Sequence, residues 1–196
     1  MPHSHPPSVT PPPGRLTMTR AIAIYGGLTA VAWLLSELVF DRSPLFAGTE
    51  GIAVHWKLLA GAGCGLGVVL VDALLERLLT TFREMSRAFA RLLGAITPLE
   101  AVVYAVFSAV GEEIAFRGVL QPWLGIVPAS VLFGLLHIAP DRRLWLWPLL
   151  AMAMGFAFGG LFEYTGDVLA PILAHFTINY FGFMRLSRER PHGPAT

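Results

Sequence analysis

Residues 111–121, GEEIAFRGVLQ, place two adjacent carboxylates and an arginine inside an otherwise apolar run. A charge at the depth of the hydrocarbon costs about 2.5–3.5 kcal/mol on insertion scales, so such residues usually line a polar cavity and carry function. On a helix Glu113 and Arg117 lie four residues apart and can pair. Glu112 points about 100° away from Glu113 and escapes that pairing. We therefore predict that Glu113 has a structural role and that Glu112 takes part in the chemistry.

Two later apolar stretches repeat the one-turn spacing with other polar groups. The stretch FGLLH ends with His137, one turn after Phe133, and the stretch HFTIN runs from His175 to Asn179. A single histidine in an apolar helix is usually a hydrogen-bonded interior residue. The acidic stretch, taken alone, also fits a solvated turn between two helices. Four polar groups distributed over three apolar segments are harder to explain by packing, and they favour a functional site.

With these stretches in this order, the chain resembles the CPBP (CAAX protease and bacteriocin-processing, also called Abi) family of intramembrane proteases. The family pattern is EExxxR, then FxxxH, then HxxxN or a close variant, and all three occur here within residues 98–183. The resemblance implies hydrolysis of a peptide bond in or beside the membrane. The matching positions are Glu112, Glu113, Arg117, Phe133, His137, His175 and Asn179.

Hydrolysis inside a membrane needs a group that activates scarce water, and we assign that general-base role to Glu112. His137 can hold the attacking water against Glu112, while His175 and Asn179 can donate hydrogen bonds to a developing oxyanion. Helix lengths counted from the connecting loops place these four groups at a shared depth. The supporting residues are Glu113, Arg117 and Phe133.

A metal-bound site is the alternative for the same residues. His137, His175 and Glu112 would make a His2Glu set with an open water position, as catalytic zinc prefers. The resemblance does not decide between the two, because the family is described both as metal-dependent and as glutamate-dependent. The ligands are dispersed over three helices and the chain has no HExxH motif. We therefore favour a site without a metal or other cofactor, and keep a divalent metal such as zinc as the alternative.

Composition indicates a polytopic membrane protein. The 196 residues are 55% hydrophobic and only 14% charged, whereas soluble domains carry about 25% charged residues. We predict an all-α transmembrane helical bundle with about six spans plus one interfacial amphipathic helix, residues 76–93. The predicted spans are residues 21–40, residues 52–75, a run from 98 through the glutamates, a run from about 128 to near 140, residues 144–161 and residues 168 to about 184.

The predicted chain has four parts. Residues 1–14 contain six prolines and no apolar periodicity, which is typical of a disordered tail. Residues 15–96 hold two spans and the interfacial helix, residues 97–186 form a four-helix catalytic membrane core, and residues 187–196 are a short polar tail.

The second predicted span is rich in small residues. Its glycines favour close packing against another helix. The single cysteine, Cys64, lies in the same run and excludes a disulfide framework or a Cys-rich metal site. The glycines are Gly61, Gly63, Gly65 and Gly67.

Charge distribution predicts how the chain lies in the membrane. With six spans, eleven of the fourteen Lys and Arg residues fall on one side, and the positive-inside rule then places both termini in the cytoplasm. The turns nearest the polar pocket, residues 122–127 and 163–167, fall on the other side. We therefore expect a substrate to enter from that side or laterally between helices.

The expected partners are membrane lipid and a peptide or lipidated protein substrate. No nucleic acid partner is expected, and the sequence predicts no oligomeric state. A different class of function, a non-enzymatic immunity or scaffold protein that binds a peptide in the same pocket, is the alternative to the protease. An ion pathway would place polar residues at several depths, whereas these cluster at one level.

Overall fold

The computed structural model describes residues 16–40, 43, 45 and 52–188, and every regular element among them is helical. The all-helical prediction is therefore confirmed for the described part of the chain. The predicted Pro-rich tail, residues 1–14, and residues 189–196 of the predicted polar tail lie outside the described residues.

Eight α-helices follow one another along the described residues. A π-helical segment, Ile114–Leu120, joins the fourth to the fifth without a break, and a 3-10 turn, Arg142–Leu144, precedes the seventh. The α-helices are α1 (Met18–Phe40), α2 (Val54–Leu78), α3 (Thr80–Leu93), α4 (Pro98–Glu113), α5 (Gln121–Leu124), α6 (Ile126–Leu135), α7 (Trp147–Thr165) and α8 (Leu169–Arg188).

Three segments of the described chain are long and apolar enough to cross a membrane, namely Met18–Leu38, Val54–Leu78 and Arg142–Thr165. The continuous helix Pro98–Leu124 passes the same test only together with α3, to which it is bent by 102°. By length and composition the described residues thus contain three candidate spans, or four if the bent pair counts as one. The predicted number of six spans is not confirmed.

The fourth predicted span is replaced by a shorter helix. α6 has ten residues and is therefore about 15 Å long, half of the roughly 30 Å hydrocarbon core of a bilayer. It begins before Pro128 and ends at Leu135, so His137 lies on the turn beyond the helix and not within it. The last predicted turn is also shorter than expected, because α7 continues to Thr165.

Helix α8 forms where the sixth span was predicted, although it is not among the segments that pass the test for crossing a membrane. It connects much of the bundle. It packs against α2, α4 and α7, while α1 packs against α4 and α6 against α7. The start of α4 is fixed by a capping box, in which the Thr97 side chain accepts from the Glu100 N–H and the Glu100 carboxylate accepts from the Thr97 N–H. This packing sets the glutamates of α4 beside the polar residues of α8.

Ion pairs join the helices at both ends of the bundle. At one end Lys57 on α2 pairs with Asp167, which precedes α8, at 2.5 Å. At the other end Arg185 on α8 binds both Asp72 and Glu76 on α2. Sequence reasoning missed all three pairs, because their partners lie far apart in the chain.

Helix α3 is amphipathic, as predicted. Its apolar residues Phe82, Met85 and Ala88 form a buried cluster with Leu144 of the 3-10 turn. Protein therefore covers much of the side that the sequence assigned to lipid. The interfacial position of α3 stays a prediction.

Two of the four glycines in α2 provide the close approach of α8. A Cβ on Gly61 would lie 2.6 Å from the carbonyl oxygen of Ala170, and a Cβ on Gly65 would lie 2.7 Å from the Cβ of Thr177. Such distances are shorter than side chains allow, so only glycine fits there. A Cβ on either of the other two glycines, at positions 63 and 67, would meet open space. The predicted packing role is thus confirmed for two of the four.

We expect the double variant Gly61→Ala/Gly65→Ala to lose about 1–3 kcal/mol of unfolding free energy, because α2 and α8 must separate to admit two methyl groups. The control Gly63→Ala/Gly67→Ala adds the same two groups to the open face and keeps or raises stability. Unfolding of the purified protein by titration with a denaturing detergent, followed by circular dichroism, measures both. Equal free energies of unfolding for the two variants would contradict the packing described.

Candidate active site

Glu113 and Arg117 form an ion pair in the interior of the bundle, as the sequence predicts. Arg117 Nε lies 3.2 Å from Glu113 Oε2, and Arg117 Nη1 donates to Glu113 Oε1 over 3.3 Å. The exposed fraction is 2% for the arginine side chain and 0% for the glutamate. Arg117 Nη2 also donates to the carbonyl oxygen of Gly155 on α7 over 2.9 Å. The pair therefore links the chain after α4 to α7.

Three phenylalanine rings surround the Arg117 guanidinium. Its central carbon lies 4.8 Å from the ring centroid of Phe133, 5.5 Å from that of Phe158 and 5.7 Å from that of Phe116. A desolvated cation over an aromatic ring gains about 2 kcal/mol or more, which offsets part of the cost of burying the charge. Phe133, which the sequence predicts to support the site, packs against this cation.

The segment that holds Arg117 is wound more loosely than an α-helix. The N–H of Gln121 bonds to the carbonyl oxygen of Phe116, five residues earlier. The Gln121 side chain then donates to the Gly159 carbonyl and to Glu163 on α7. Turns of this kind are rare and often occur at functional sites. Sequence reasoning missed this one, because it assumed the ordinary helical period.

Glu113 also holds His175. The Nδ1 atom of His175 lies 2.7 Å from Glu113 Oε1, and the ring stacks on Phe158 with 5.1 Å between centroids. An ionised carboxylate only accepts hydrogen bonds, so Nδ1 carries the proton. His175, the predicted hydrogen-bond donor to the oxyanion, therefore uses Nδ1 to bind Glu113, and its Nε2 is left for other contacts.

Glu112 faces His137 across a gap. The Nε2 atom of His137 lies 3.8 Å from Glu112 Oε2, which is too far for a hydrogen bond. The Nδ1 atom lies 2.6 Å from the carbonyl oxygen of Phe133, so Nδ1 carries the proton and Nε2 of the neutral ring is an acceptor. Glu112 Oε2 has no hydrogen-bond partner among the described residues. Two acceptor atoms thus face each other within the site.

Asn179 completes the predicted set through a residue that sequence reasoning missed. Its Nδ2 donates to the hydroxyl of Ser108 over 2.9 Å, and that hydroxyl donates to the carbonyl of Tyr104 over 2.6 Å. Ser108 is 4% exposed and lies one turn before Glu112 on α4. The available signal was a polar side chain in an apolar run at that spacing.

Tyr25 is a second residue that the sequence did not reveal. Its phenol lies close enough to the Glu112 carboxylate to interact with it. Helix α1 can come this near because Gly111 has no side chain, and a Cβ there would lie 2.8 Å from the Tyr25 carbonyl oxygen. Nothing in the spacing of the chain links the first helix to the glutamates.

The structure does not gather the His2Glu set that the metal alternative requires. Among the described residues, no three His, Cys, Asp or Glu side chains lie close enough together to hold a metal ion. His175 contacts Glu113, while His137 contacts Glu112. The three proposed ligands do not fit a metal in this arrangement, and we derive no chemical step through one.

Comparisons with known proteins identify the family that part of this chain matches. Residues 94–181 match the family model described as "Type II CAAX prenyl endopeptidase Rce1-like", which confirms the predicted family resemblance over that segment. The "Uncharacterized protein YpbD" of Bacillus subtilis (strain 168) is 39% identical over 71 residues, which are 36% of this chain and 37% of that relative. No solved structure matches the chain. All seven predicted site residues fall in the matched segment, and Tyr25 lies outside it.

We expect Arg117→Met to lower the free energy of unfolding by about 3–5 kcal/mol, because it leaves the buried Glu113 carboxylate without its cation. The double variant Glu113→Gln/Arg117→Met should recover part of that loss, since neither charge is then unpaired. Arg142→Met, at an exposed arginine, is the control and should change stability by less than about 0.5 kcal/mol. If Arg117→Met were as stable as this control, the buried pair would not have the structural role given to it.

Proposed function

We propose that this chain, whose residues 94–181 match the Rce1-like family, is an intramembrane endopeptidase that hydrolyses a peptide bond of a membrane-associated or lipidated substrate. The observation that carries the proposal is the 3.8 Å gap between Glu112 Oε2 and His137 Nε2. Glu113 is engaged with Arg117 and His175. Glu112 is therefore the carboxylate left for chemistry.

The gap suits one water molecule. Both facing atoms are acceptors when Glu112 is ionised, so a water there donates one hydrogen to each and presents its lone pairs to a substrate. As a lone pair attacks the peptide carbonyl carbon, Glu112 takes the proton along the hydrogen bond. A C–O bond forms, and the π electrons of the carbonyl move to its oxygen as an oxyanion.

Asn179 and His175 stabilise that oxyanion. One N–H of the Asn179 amide is held by Ser108, and the other is available to donate. His175 donates from Nε2 when the ring is doubly protonated, and Glu113 balances the positive charge. The protonated Glu112 then gives its proton to the leaving nitrogen as the C–N bond breaks. The products are a carboxylic acid and an amine, and Glu112 is regenerated.

The proposed substrate class follows from the family description together with the lipid-compatible surface. That description names a CAAX prenyl endopeptidase. Large apolar side chains are exposed on the outer helices, among them Leu38 and Leu70 at 80% and 70%, as on a protein that faces lipid chains. A prenylated peptide could therefore reach the site from the bilayer.

We propose in addition that both termini are cytoplasmic, as the arginine distribution predicts.

The test is cleavage of a farnesylated peptide that ends in a CAAX sequence, in liposomes that contain the purified full chain. We expect Glu112→Ala and His137→Ala to reduce kcat at least 100-fold, the usual contribution of general acid–base groups. Glu37→Ala, which removes an exposed carboxylate on α1, is the matched control and should cleave like wild type. Circular dichroism of each variant shows whether the fold is retained.

Two results would contradict the proposal. Cleavage by Glu112→Ala at the wild-type rate would remove Glu112 from the chemistry. The second result is that wild type and Glu112→Ala bind the peptide equally tightly and neither cleaves it. That result would favour the non-enzymatic peptide-binding protein over the protease.

We expect Tyr25→Phe to lower kcat about ten- to 100-fold with little change in KM, because the phenol no longer orients the Glu112 carboxylate. One hydrogen bond of this kind to a charged group contributes about 1.5–3 kcal/mol. Tyr164→Phe, at a tyrosine that is 71% exposed, is the control. An equal kcat for the two variants would contradict a role for Tyr25 in positioning the base.

A further inference from the structure

A basic cleft lies between α3 and the 3-10 turn before α7. It has a volume of about 230 Å³ and is lined by Glu84, Arg87, Arg91 and Arg143. The first three residues are spaced three and four apart on α3 and share one face of the helix. With three arginines and one glutamate, the lining carries a formal charge of +2. None of these residues belongs to the candidate active site.

The three guanidinium groups of this cleft have no partner among the described residues. Within the part of the chain that the structure describes, none of them makes an ion pair or a hydrogen bond. Other arginines at this end are engaged, since Arg185 binds Asp72 and Glu76 and Arg83 donates to backbone carbonyls. Three like charges that converge on one cleft repel each other, and an anion bound there would remove that repulsion.

The helices on either side of α3 indicate where this cleft lies relative to the bilayer. Helix α3 begins two residues after the end of α2, which is long and apolar enough to cross a membrane. The following helix, Pro98–Leu124, is bent from α3 by 102°. If α2 and the following helix cross the bilayer, α3 runs nearly parallel to its surface. Its apolar side faces the bundle, so its arginine face is turned toward the headgroups.

We propose that the Arg87/Arg91/Arg143 cleft binds the phosphate of an anionic phospholipid. Guanidinium groups donate pairs of parallel hydrogen bonds to phosphate oxygens, and three of them around one cleft match a single phosphodiester. Basic clusters on an amphipathic helix beside a membrane span bind anionic lipids in this way. Glu84 lowers the formal charge of the lining from +3 to +2. The cleft therefore favours a phosphodiester with one negative charge over a ligand with several.

The experiment titrates phosphatidylglycerol into the detergent-solubilised full chain and counts bound lipid by native mass spectrometry. Phosphatidylcholine with the same acyl chains is the lipid control. The test variant is Arg87→Gln/Arg91→Gln/Arg143→Gln. The control variant is Arg77→Gln/Arg142→Gln/Arg188→Gln, which removes the same charge from exposed arginines outside the cleft. Circular dichroism confirms that each variant is folded, and the single variant Arg143→Gln serves if the triple variant is not.

We expect wild type and the control variant to retain phosphatidylglycerol in preference to phosphatidylcholine. Each cleft arginine removed should weaken binding about fivefold, equivalent to about 1 kcal/mol, so the triple variant should bind on the order of 100-fold more weakly. An equal loss in both triple variants would overturn the site, since general charge attraction would then explain binding. In a separate experiment, inorganic phosphate competes with phosphatidylglycerol for the cleft. If phosphate at the same concentration displaced the lipid, the cleft would be a phosphate site and the lipid would not be its specific ligand.

Discussion

The burial of one guanidinium group is the constraint on which the rest of the site depends. Arg117 is 1% exposed, so protein atoms must replace the water that its five N–H groups would otherwise bind. Glu113, the carbonyl of Gly155 and three aromatic rings supply that replacement. These partners come from α4, the π-helical segment, α6 and α7, so the position of one charge fixes four parts of the chain relative to each other.

This arrangement explains why two adjacent glutamates differ. Glu113 is 0% exposed and is held by Arg117 and by His175, so its charge is balanced within the fold. Glu112 lies on another side of the helix, partly exposed, with His137 opposite and Tyr25 beside it. One carboxylate stabilises the site and orients a histidine, while the other keeps an oxygen free. Two adjacent carboxylates are tolerated inside the bundle because only one of them lacks a cation partner.

The sequence predicted the helical class and the polar set because both depend on local spacing. EExxxR at one-turn spacing placed Glu113 and Arg117 together, and the glycines of α2 predicted its close packing. Spacing could not show the π-helical turn, the short α6 or the position of His137 beyond that helix. Each of these depends on how α6 and α7 pack around Arg117.

The sequence did not predict the number of spans or the contacts between distant residues, and the reason is different. Hydropathy suggested six crossings, but ten residues of α6 are too few to cross a bilayer and the bend after α3 is a tertiary feature. Tyr25 and Ser108 reach the site only because α1 and α8 pack on α4. Those contacts join parts of the chain that no local pattern connects.

The central claim, that the two glutamates have separate roles, is tested most directly by measuring the cleavage rate and the free energy of unfolding on the same preparations of Glu112→Gln and Glu113→Gln. We expect Glu112→Gln to lose cleavage at least 100-fold with stability within about 1 kcal/mol of wild type. We expect Glu113→Gln to lose about 3–5 kcal/mol of stability, because Arg117 is then buried without its anion. The reverse pattern, or equal losses of stability in both variants, would contradict the division of roles between Glu112 and Glu113.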